Sequence, residues 1–292
     1  MRTRASSTLV GLLAVALCAS TVVLGAPAPA SAAGFGAGNI VVVRVGTGTA
    51  ALSNAATPVF LDEYAPSGAL VQSIALPTST VGANRRVTLS GTATSEGALA
   101  RSADGRYLSL AGFDADPGTA TVASTSAAAT NRVVARVDGN GIVDSSTAIS
   151  DAFSAADVRG AVTDDGSRFW AVGASGGVRL VPLGSAGATT QINSAAPTNL
   201  RVAGIADGQL RVSTGSAPAG VYAVGSGLPT AGGHTPALLT ASPSPYGFVA
   251  LDRDPGVPGT DTLYVADDSS SPNGGIVKFS FDGTAWTARG SF

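Results

Sequence analysis

The chain has 292 residues, a formal net charge of −2 and a single histidine. Lys278 is its only lysine, so the chain lacks the basic field that nucleic acid or anionic lipid requires. One histidine also excludes multi-histidine metal centres. The 38 glycines, with many Asp, Asn and Pro residues, indicate a chain that turns often.

The amino terminus has the order of a secretory signal peptide. Arg2 and Arg4 come first, an apolar run follows over residues 9–24, and Ala30-Ser31-Ala32 supplies small residues for cleavage. The apolar run is shorter than the ~20 residues that span a bilayer. We therefore predict a signal peptide over 1–32 and one secreted domain over 33–292. Residues 33–292 contain no cysteine. We expect this domain to be released without a carboxy-terminal anchor or a membrane span.

The remaining chain predicts an all-β fold. Short runs rich in β-branched and aromatic residues are bounded by Gly, Asp, Asn and Pro, and several alternate polar with apolar residues. The one plausible helical turn is 150–156. The predicted strands are 40–45, 59–64, 70–76, 106–111, 132–137, 168–172, 178–183, 200–205, 209–213, 248–251, 262–266 and 276–281.

An internal repeat organises these strands. A strand, an Asp-Gly turn and a second strand recur at residues 103–108, 164–169 and 206–211. Arg159 precedes Arg201 by 42 positions, and Arg201 precedes Tyr246 by 45. A unit of ~40–45 residues is the size of one four-stranded propeller blade. Residues 114–131, rich in Ala and Thr, read as a loop inserted between strands.

The expected architecture is a β-propeller of about five four-stranded blades. Strand 40–45 is predicted to complete the last blade, because a propeller closes by pairing strands from its two ends. An incomplete six- or seven-bladed propeller and a β-sandwich are the alternatives.

Residues 102–108, Ser-Ala-Asp-Gly-Arg-Tyr-Leu, resemble the blade motif of bacterial TolB-like and YVTN-type propellers. Residues 38–42 and 261–267 are similar to segments of exported bacterial propeller-like proteins of unknown role. The resemblance covers most of the chain after residue 32. It implies a fold and no catalytic residues.

The shared register of Arg159, Arg201 and Tyr246 predicts that they ring one mouth of a central channel, with Glu96 near the equivalent point. Glu96-Gly97 also resembles the Glu-Gly of gluconolactonase-like propellers, in which the glutamate binds a divalent metal; arginines replace the other ligands of that family here. Two arginines near one glutamate could hold a small anion through bidentate hydrogen bonds. A structural network that fills a polar channel is the favoured interpretation of these residues, ahead of a ligand site.

Two further groups of residues are candidates for metal binding or catalysis. Asp252, Asp254 and Asp261 lie in one loop and form the best candidate Ca²⁺ site, although Asp also caps turns. Ser175 sits in a Gly-x-Ser-x-Gly string, with His234 further on. A strand follows Ser175 where a nucleophile elbow needs a helix, so a hairpin turn is the better interpretation.

The favoured functional hypothesis is an exported, monomeric, non-enzymatic binding or scaffold propeller. Its partner would be an unknown protein or a small anionic ligand, and no cofactor is required apart from a possible Ca²⁺. The alternative is a divalent-metal-dependent hydrolase of lactonase or phosphoesterase type that uses Glu96. A third hypothesis is a structural part of an envelope assembly, joined through a carboxy-terminal edge strand.

Overall fold

A computed structural model describes residues 33–270 and 274–292. The predicted signal peptide, 1–32, lies outside the described residues. The described chain is all-β, as predicted. Its one described helical segment is a 3-10 turn, Val122–Ser124, inside the predicted inserted loop. The predicted helical turn at 150–156 is wrong, because those residues form bends and turns. Within the described ranges, no helix is long and apolar enough to cross a membrane.

The strands fall into five consecutive groups. The first group is β1 (Ile40–Val45), β2 (Ala56–Tyr64) and β3 (Leu70–Ala75). The second is β4 (Thr88–Ser90), β5 (Ala100–Arg101), β6 (Tyr107–Phe113), β7 (Arg132–Asp138) and β8 (Val143–Ile149). The third is β9 (Val158–Val162), β10 (Arg168–Gly173), β11 (Arg179–Pro182), the two-residue β12 (Ala186–Gly187) and β13 (Thr190–Gln191). The fourth is β14 (Ala203–Ala206), β15 (Gln209–Thr214), β16 (Gly220–Val224) and β17 (Pro236–Ala241). The fifth is β18 (Pro245–Leu251), β19 (Thr262–Asp267), β20 (Gly275–Phe281) and β21 (Trp286–Ser291).

Antiparallel pairing between neighbours in sequence builds each group. The third, fourth and fifth groups are four-stranded sheets with the orders β13-β11-β10-β9, β14-β15-β16-β17 and β18-β19-β20-β21. The first two groups are joined because β4 pairs with both β2 and β6. Strand β12 leaves the third group and pairs in parallel with β8. We call the five groups the first to fifth sheets.

Turn chemistry explains the hairpins between first and second strands. Asp207 and Gly208 link β14 to β15 with φ values of 50° and 62°. Positive φ at both central residues is the geometry of the two-residue turn that suits the twist of a hairpin, and Asp-Gly is a favoured pair for it. The repeated Asp-Gly signal therefore marks real strand connections.

Each sheet packs its apolar face on the next sheet along the chain, which places four cores between the five sheets. Leu61 and Val133 belong to the core between the first and second sheets. Phe113 and Phe169 belong to the next core. Trp170 and Leu210 join the third sheet to the fourth, and the fourth packs on the fifth through a core that includes Val221, Leu263, Val265 and Phe279.

The two end faces of this succession remain partly exposed. On the first sheet, Ile40 and Val42 are 62% and 46% exposed. On the fifth sheet, Val249 and Ile276 are 54% and 44% exposed. Among the described residues no buried core cluster joins the first sheet to the fifth.

The predicted closing role of strand 40–45 is wrong. Strand β1 pairs along its whole length with β2, from Ile40 opposite Tyr64 to Val45 opposite Val59. Strand β21 pairs with β20. The side chains of Val41, Val43 and Val45 pack against the core between the first and second sheets. Local hairpin pairing satisfies that requirement at a smaller loop-closure cost than a strand from the far end of the chain.

Candidate functional site

Arg159, Arg201 and Tyr246 lie at the starts of the third, fourth and fifth sheets, and we call them the arginine row. Arg159 donates from Nη1 to Asn199 Oδ1 at 2.7 Å and to the Leu200 carbonyl at 3.1 Å. Arg201 donates from Nη1 to Ser244 Oγ at 2.9 Å and to the Pro245 carbonyl at 3.2 Å. Each arginine therefore reaches across to the start of the following sheet.

Arg201 is held in a fixed orientation by Tyr246 and Gly215. Its Cζ lies 4.0 Å from the centroid of the Tyr246 ring, within the range of a cation–π contact. A Cβ added to Gly215 would lie 2.7 Å from Arg201 Cζ. The guanidinium plane thus fits between an aromatic ring and a residue that has no side chain. The repeat predicted that Arg201 and Tyr246 share a register, and the structure places them in contact.

Glu96 lies beside the row, in the loop between β4 and β5. Its Oε2 accepts the Ser90 N–H at 2.8 Å, and its carboxyl lies within hydrogen-bonding reach of Asp157. Its Oε1 is buried and meets no donor group among the described residues. Burial, with the negative charge of Asp157, raises the pKa of Glu96 to about 8. At neutral pH the Glu96 carboxyl is therefore mostly protonated.

A third arginine, Arg132, is close enough to Glu96 and Asp157 for their charges to affect its pKa. No sequence pattern indicates that Arg132 belongs to this region. It is fully buried at the start of β7. It donates to the Thr130 carbonyl at 2.6 Å, to the Thr125 carbonyl at 2.8 Å and to the Ala156 carbonyl at 3.2 Å. Burial lowers its pKa to about 10, and the charges of Glu96 and Asp157 oppose that shift. No motif marks Arg132, because the loops that bury it are brought together only by the fold.

Carboxylates offset the arginine charges of this region. Burial lowers the pKa of Arg159, and the neighbouring positive charge of Arg201 lowers it further. Asp157 approaches Arg159 Nη2 at 3.7 Å, and Asp268 approaches Arg201 Nη1 at 3.9 Å. Asp267 accepts the N–H of Ser244, whose hydroxyl accepts from Arg201. Three guanidinium groups, including that of Arg132, therefore face three carboxylates, while Glu96 is neutral at neutral pH.

An open cavity of about 570 Å³ lies at the Tyr246 end of the row. Thr94, two residues before Glu96, borders it on one side, and the fifth sheet borders it on the other. We call it the row cavity. Its lining combines apolar and polar groups: Thr94, Tyr246, Ala266, Asp267, Asp268, Gly275, Ile276 and Phe292. A volume of this size is typical of small-molecule sites.

The three aspartates of the calcium hypothesis are arranged around a loop. Asp261 is buried, and its Oδ2 accepts the backbone N–H groups of Arg253 at 2.8 Å and Asp254 at 2.6 Å. Asp254 Oδ1 accepts the Gly256 N–H, while Asp252 is exposed. The Thr262 hydroxyl first, and then these N–H groups, lower the pKa of Asp261. In the described ranges, no group of three or more acidic, His or Cys side chains is arranged to hold a metal. The calcium site stays a prediction.

The Ser175 segment is a hairpin, as interpreted from the sequence. Strand β10 ends at Gly173 and β11 begins at Arg179, so the serine lies in the turn between two strands. The helix that a nucleophile elbow needs is replaced by β11.

No protein-family model matches the chain, and no curated protein matches it. The functional argument therefore rests on the geometry of the arginine row and its cavity.

Proposed function

We propose that the chain is an exported, non-enzymatic β-propeller of five blades that binds a small anionic ligand at the arginine row. The observation that carries the proposal is that Arg159 and Arg201 are near enough for the charge of Arg201 to lower the pKa of Arg159, while Arg201 lies on the ring of Tyr246, which lines the row cavity. An anion between or beside the two guanidinium groups is attracted by both of them. Its charge also reduces the repulsion between the two arginines.

The sheet order supports the propeller part of the proposal. Five sheets follow one another along the chain, and each packs face to face on the next. The segment just before β5 runs parallel to β9, with Ala98 opposite Gly160. Parallel inner segments in successive units are expected where blades surround a common axis. The export part of the proposal depends on residues 1–32 and on the absence of cysteine after Cys18.

The free donors of Arg201 support binding over a purely structural role. Arg201 uses Nη1 for its contacts to the fifth sheet. Its Nε and Nη2 groups make no hydrogen bond to the described residues and are not fully enclosed, so they can donate to a ligand.

Isothermal titration of the purified chain with succinate and with inorganic phosphate tests the proposal. We expect binding of at least one of these anions, and we expect Arg201→Met to weaken it about tenfold or more. Arg289→Met is the matched control, because Arg289 is an exposed arginine on β21 that donates to Ser280 Oγ and does not line the row cavity. Failure of both anions to bind, or equal loss in the two variants, would overturn the proposal.

A divalent-metal-dependent hydrolase is the second candidate, and the Glu96–Asp157 carboxyl pair favours it. Glu96 would have to lose its proton to hold a metal, which its burial opposes at neutral pH. Titration with Ca²⁺ and Mn²⁺ at pH 9 tests this candidate. Binding that Glu96→Gln abolishes would support a metal site, and retained binding in that variant would rule Glu96 out as a ligand.

A further inference from the structure

A second cavity, of about 520 Å³, lies beside β5 and the Asp-Gly turn at 104–105. Arg101 is the last residue of β5, and the turn follows it. The amino-terminal segment 35–41 covers this turn, and Phe35 donates its N–H to the Gly139 carbonyl at 2.9 Å. We call the space between them the turn cavity.

The lining of the turn cavity is apolar with a few polar groups at one side, the pattern of small-molecule sites. Phe35, Val41, Leu99 and Leu108 provide apolar surface. Arg101, Arg106 and Tyr107 provide the polar side. The apolar residues also contact the core between the first two sheets, so the cavity wall is part of the packed structure.

Arg101 is positioned by the turn and lacks an acidic partner among the described residues. It donates from Nε and Nη2 to the Gly105 carbonyl at 3.2 and 3.1 Å. A Cβ on Gly105 would lie 2.6 Å from Arg101 Nη2, so only glycine allows this arrangement without displacing the side chain. The guanidinium is therefore held in place while its charge remains uncompensated.

The other charged groups of the cavity already have partners within their own turns. Arg106 forms an ion pair with Asp104 at 2.6 Å. Asp138 keeps its negative charge, and its Oδ1 accepts the N–H groups of Asn140 and Ile142, both at 2.9 Å, which closes the next turn. Arg101 is the basic group of the lining that has no acidic partner among the described residues, so it is the group that can pair with an anion.

We propose that the turn cavity is a second binding site, independent of the arginine row, for a small monoanion with an apolar body. The carboxylate of such a ligand would pair with Arg101, and its hydrocarbon part would lie on Leu99 and Phe35. Tyr107 has Arg136 Cζ 4.6 Å from its ring centroid, which fixes the aromatic wall beside the anion.

Octanoate, octanol and inorganic phosphate are probes that separate the two requirements of this site. Binding is measured by calorimetry on the purified chain, together with amide chemical shifts of Gly105 and Gly139. We expect octanoate to bind with shifts at both glycines, and octanol and phosphate to bind there at least about tenfold more weakly. Octanol that binds as tightly as octanoate would show that Arg101 is not used and would overturn the proposal.

Three variants locate the binding. Arg101→Met keeps the length of the side chain and removes its charge, and we expect it to weaken octanoate binding about tenfold or more. Arg289→Met and Arg201→Met should leave octanoate binding unchanged. Loss in Arg201→Met with retention in Arg101→Met would assign octanoate to the arginine row and overturn the second site. Loss in Arg101→Met alone would support it whether or not succinate binds at the row.

Discussion

Arg201 and Tyr246, 45 positions apart in the sequence, form a stacked pair with the guanidinium carbon 4.0 Å from the ring centroid. The pair joins the fourth sheet to the fifth at the edge of the row cavity. Gly215 supports the other side of the guanidinium, because its lack of a side chain leaves space there. Stacking on the ring orients the planar guanidinium of Arg201. A lysine at this position could not stack in the same way, because its ammonium group is compact and not planar.

We therefore expect Arg201→Lys to weaken succinate binding although it retains the positive charge. Tyr246→Phe, which keeps the ring, should bind as the natural chain does. Calorimetric titration of both variants under the same salt conditions checks the expectation. Equal affinity of Arg201→Lys and the natural chain would show that charge alone is sufficient.

Gly215→Ala tests the positioning of Arg201 without touching its charge. The new Cβ would lie 2.7 Å from Arg201 Cζ and Nη2, so the side chain must shift. We expect weaker succinate binding with little change in the midpoint of urea unfolding. Gly187→Ala is a suitable control, because a Cβ there meets nothing within 4 Å. A binding loss in both glycine variants would argue for a general effect on folding.

The stability of the chain should fall as the pH rises through the range in which Glu96 ionises. Its pKa in the folded state is about 8, against 4.5 for the free side chain, so the folded state holds a proton that the unfolded state has lost. The stabilising contribution is complete below pH 4.5, declines between pH 4.5 and 8, and amounts to roughly 5 kcal/mol in all. Urea unfolding at pH 5.5, 7 and 8.5 measures it.

Glu96→Gln and Glu63→Gln isolate this effect, because the chain has only these two glutamates. The glutamine amide mimics the protonated carboxyl, so we expect most of the decline between pH 5.5 and 8.5 to disappear in Glu96→Gln. Glu63 is a buried carboxylate that accepts hydrogen bonds from Asn39 and Gln72, and these contacts keep its pKa below the usual value despite burial. Its replacement should leave the decline unchanged. A decline that survives in Glu96→Gln would assign it to another group.

Most strands and the arginine row could be predicted from the sequence. Arg132 and Asp157, which lie next to the row, could not. Strands with β-branched alternation, such as β6, β7 and β19, were predicted nearly to their ends. Strand β8 was missed because its sequence, Val-Asp-Ser-Ser-Thr-Ala-Ile, is mostly polar or small. Arg132 reads as a surface arginine beside an Ala- and Thr-rich loop. Its burial results from long-range folding of that loop, which no local pattern encodes.

Arg132 is expected to be a strong contributor to stability. It is fully buried and donates hydrogen bonds to loop carbonyls on both sides of β7, including those of Thr130 and Ala156. Arg132→Met would leave these carbonyls without donors, and we expect a loss of about 3 kcal/mol or more. Arg106→Met removes an exposed, solvent-screened ion pair and should cost much less than Arg132→Met. Urea unfolding at pH 6 compares the two, and equal losses would contradict the structural role of Arg132.

The partner of strand β1 distinguishes the observed fold from the closure that the sequence suggested. In the structure Ile40 lies directly opposite Tyr64 on β2. Directly opposite residues in antiparallel strands have Cα atoms about 4.5–5.5 Å apart, which suits a disulfide. We expect the double variant Ile40→Cys, Tyr64→Cys to form an intramolecular disulfide in a Cys18→Ser background, where no other cysteine competes.

The matched variant Ile40→Cys, Thr287→Cys tests closure of β1 on the last sheet. Thr287 lies on β21, which pairs with β20. We expect this variant to stay reduced, because β1 and β21 are not partners. Intact mass before and after reduction, at several protein concentrations, separates intramolecular bonds from links between chains. A disulfide that forms within one chain between residues 40 and 287, but not between 40 and 64, would require β1 to leave β2 and complete the fifth sheet.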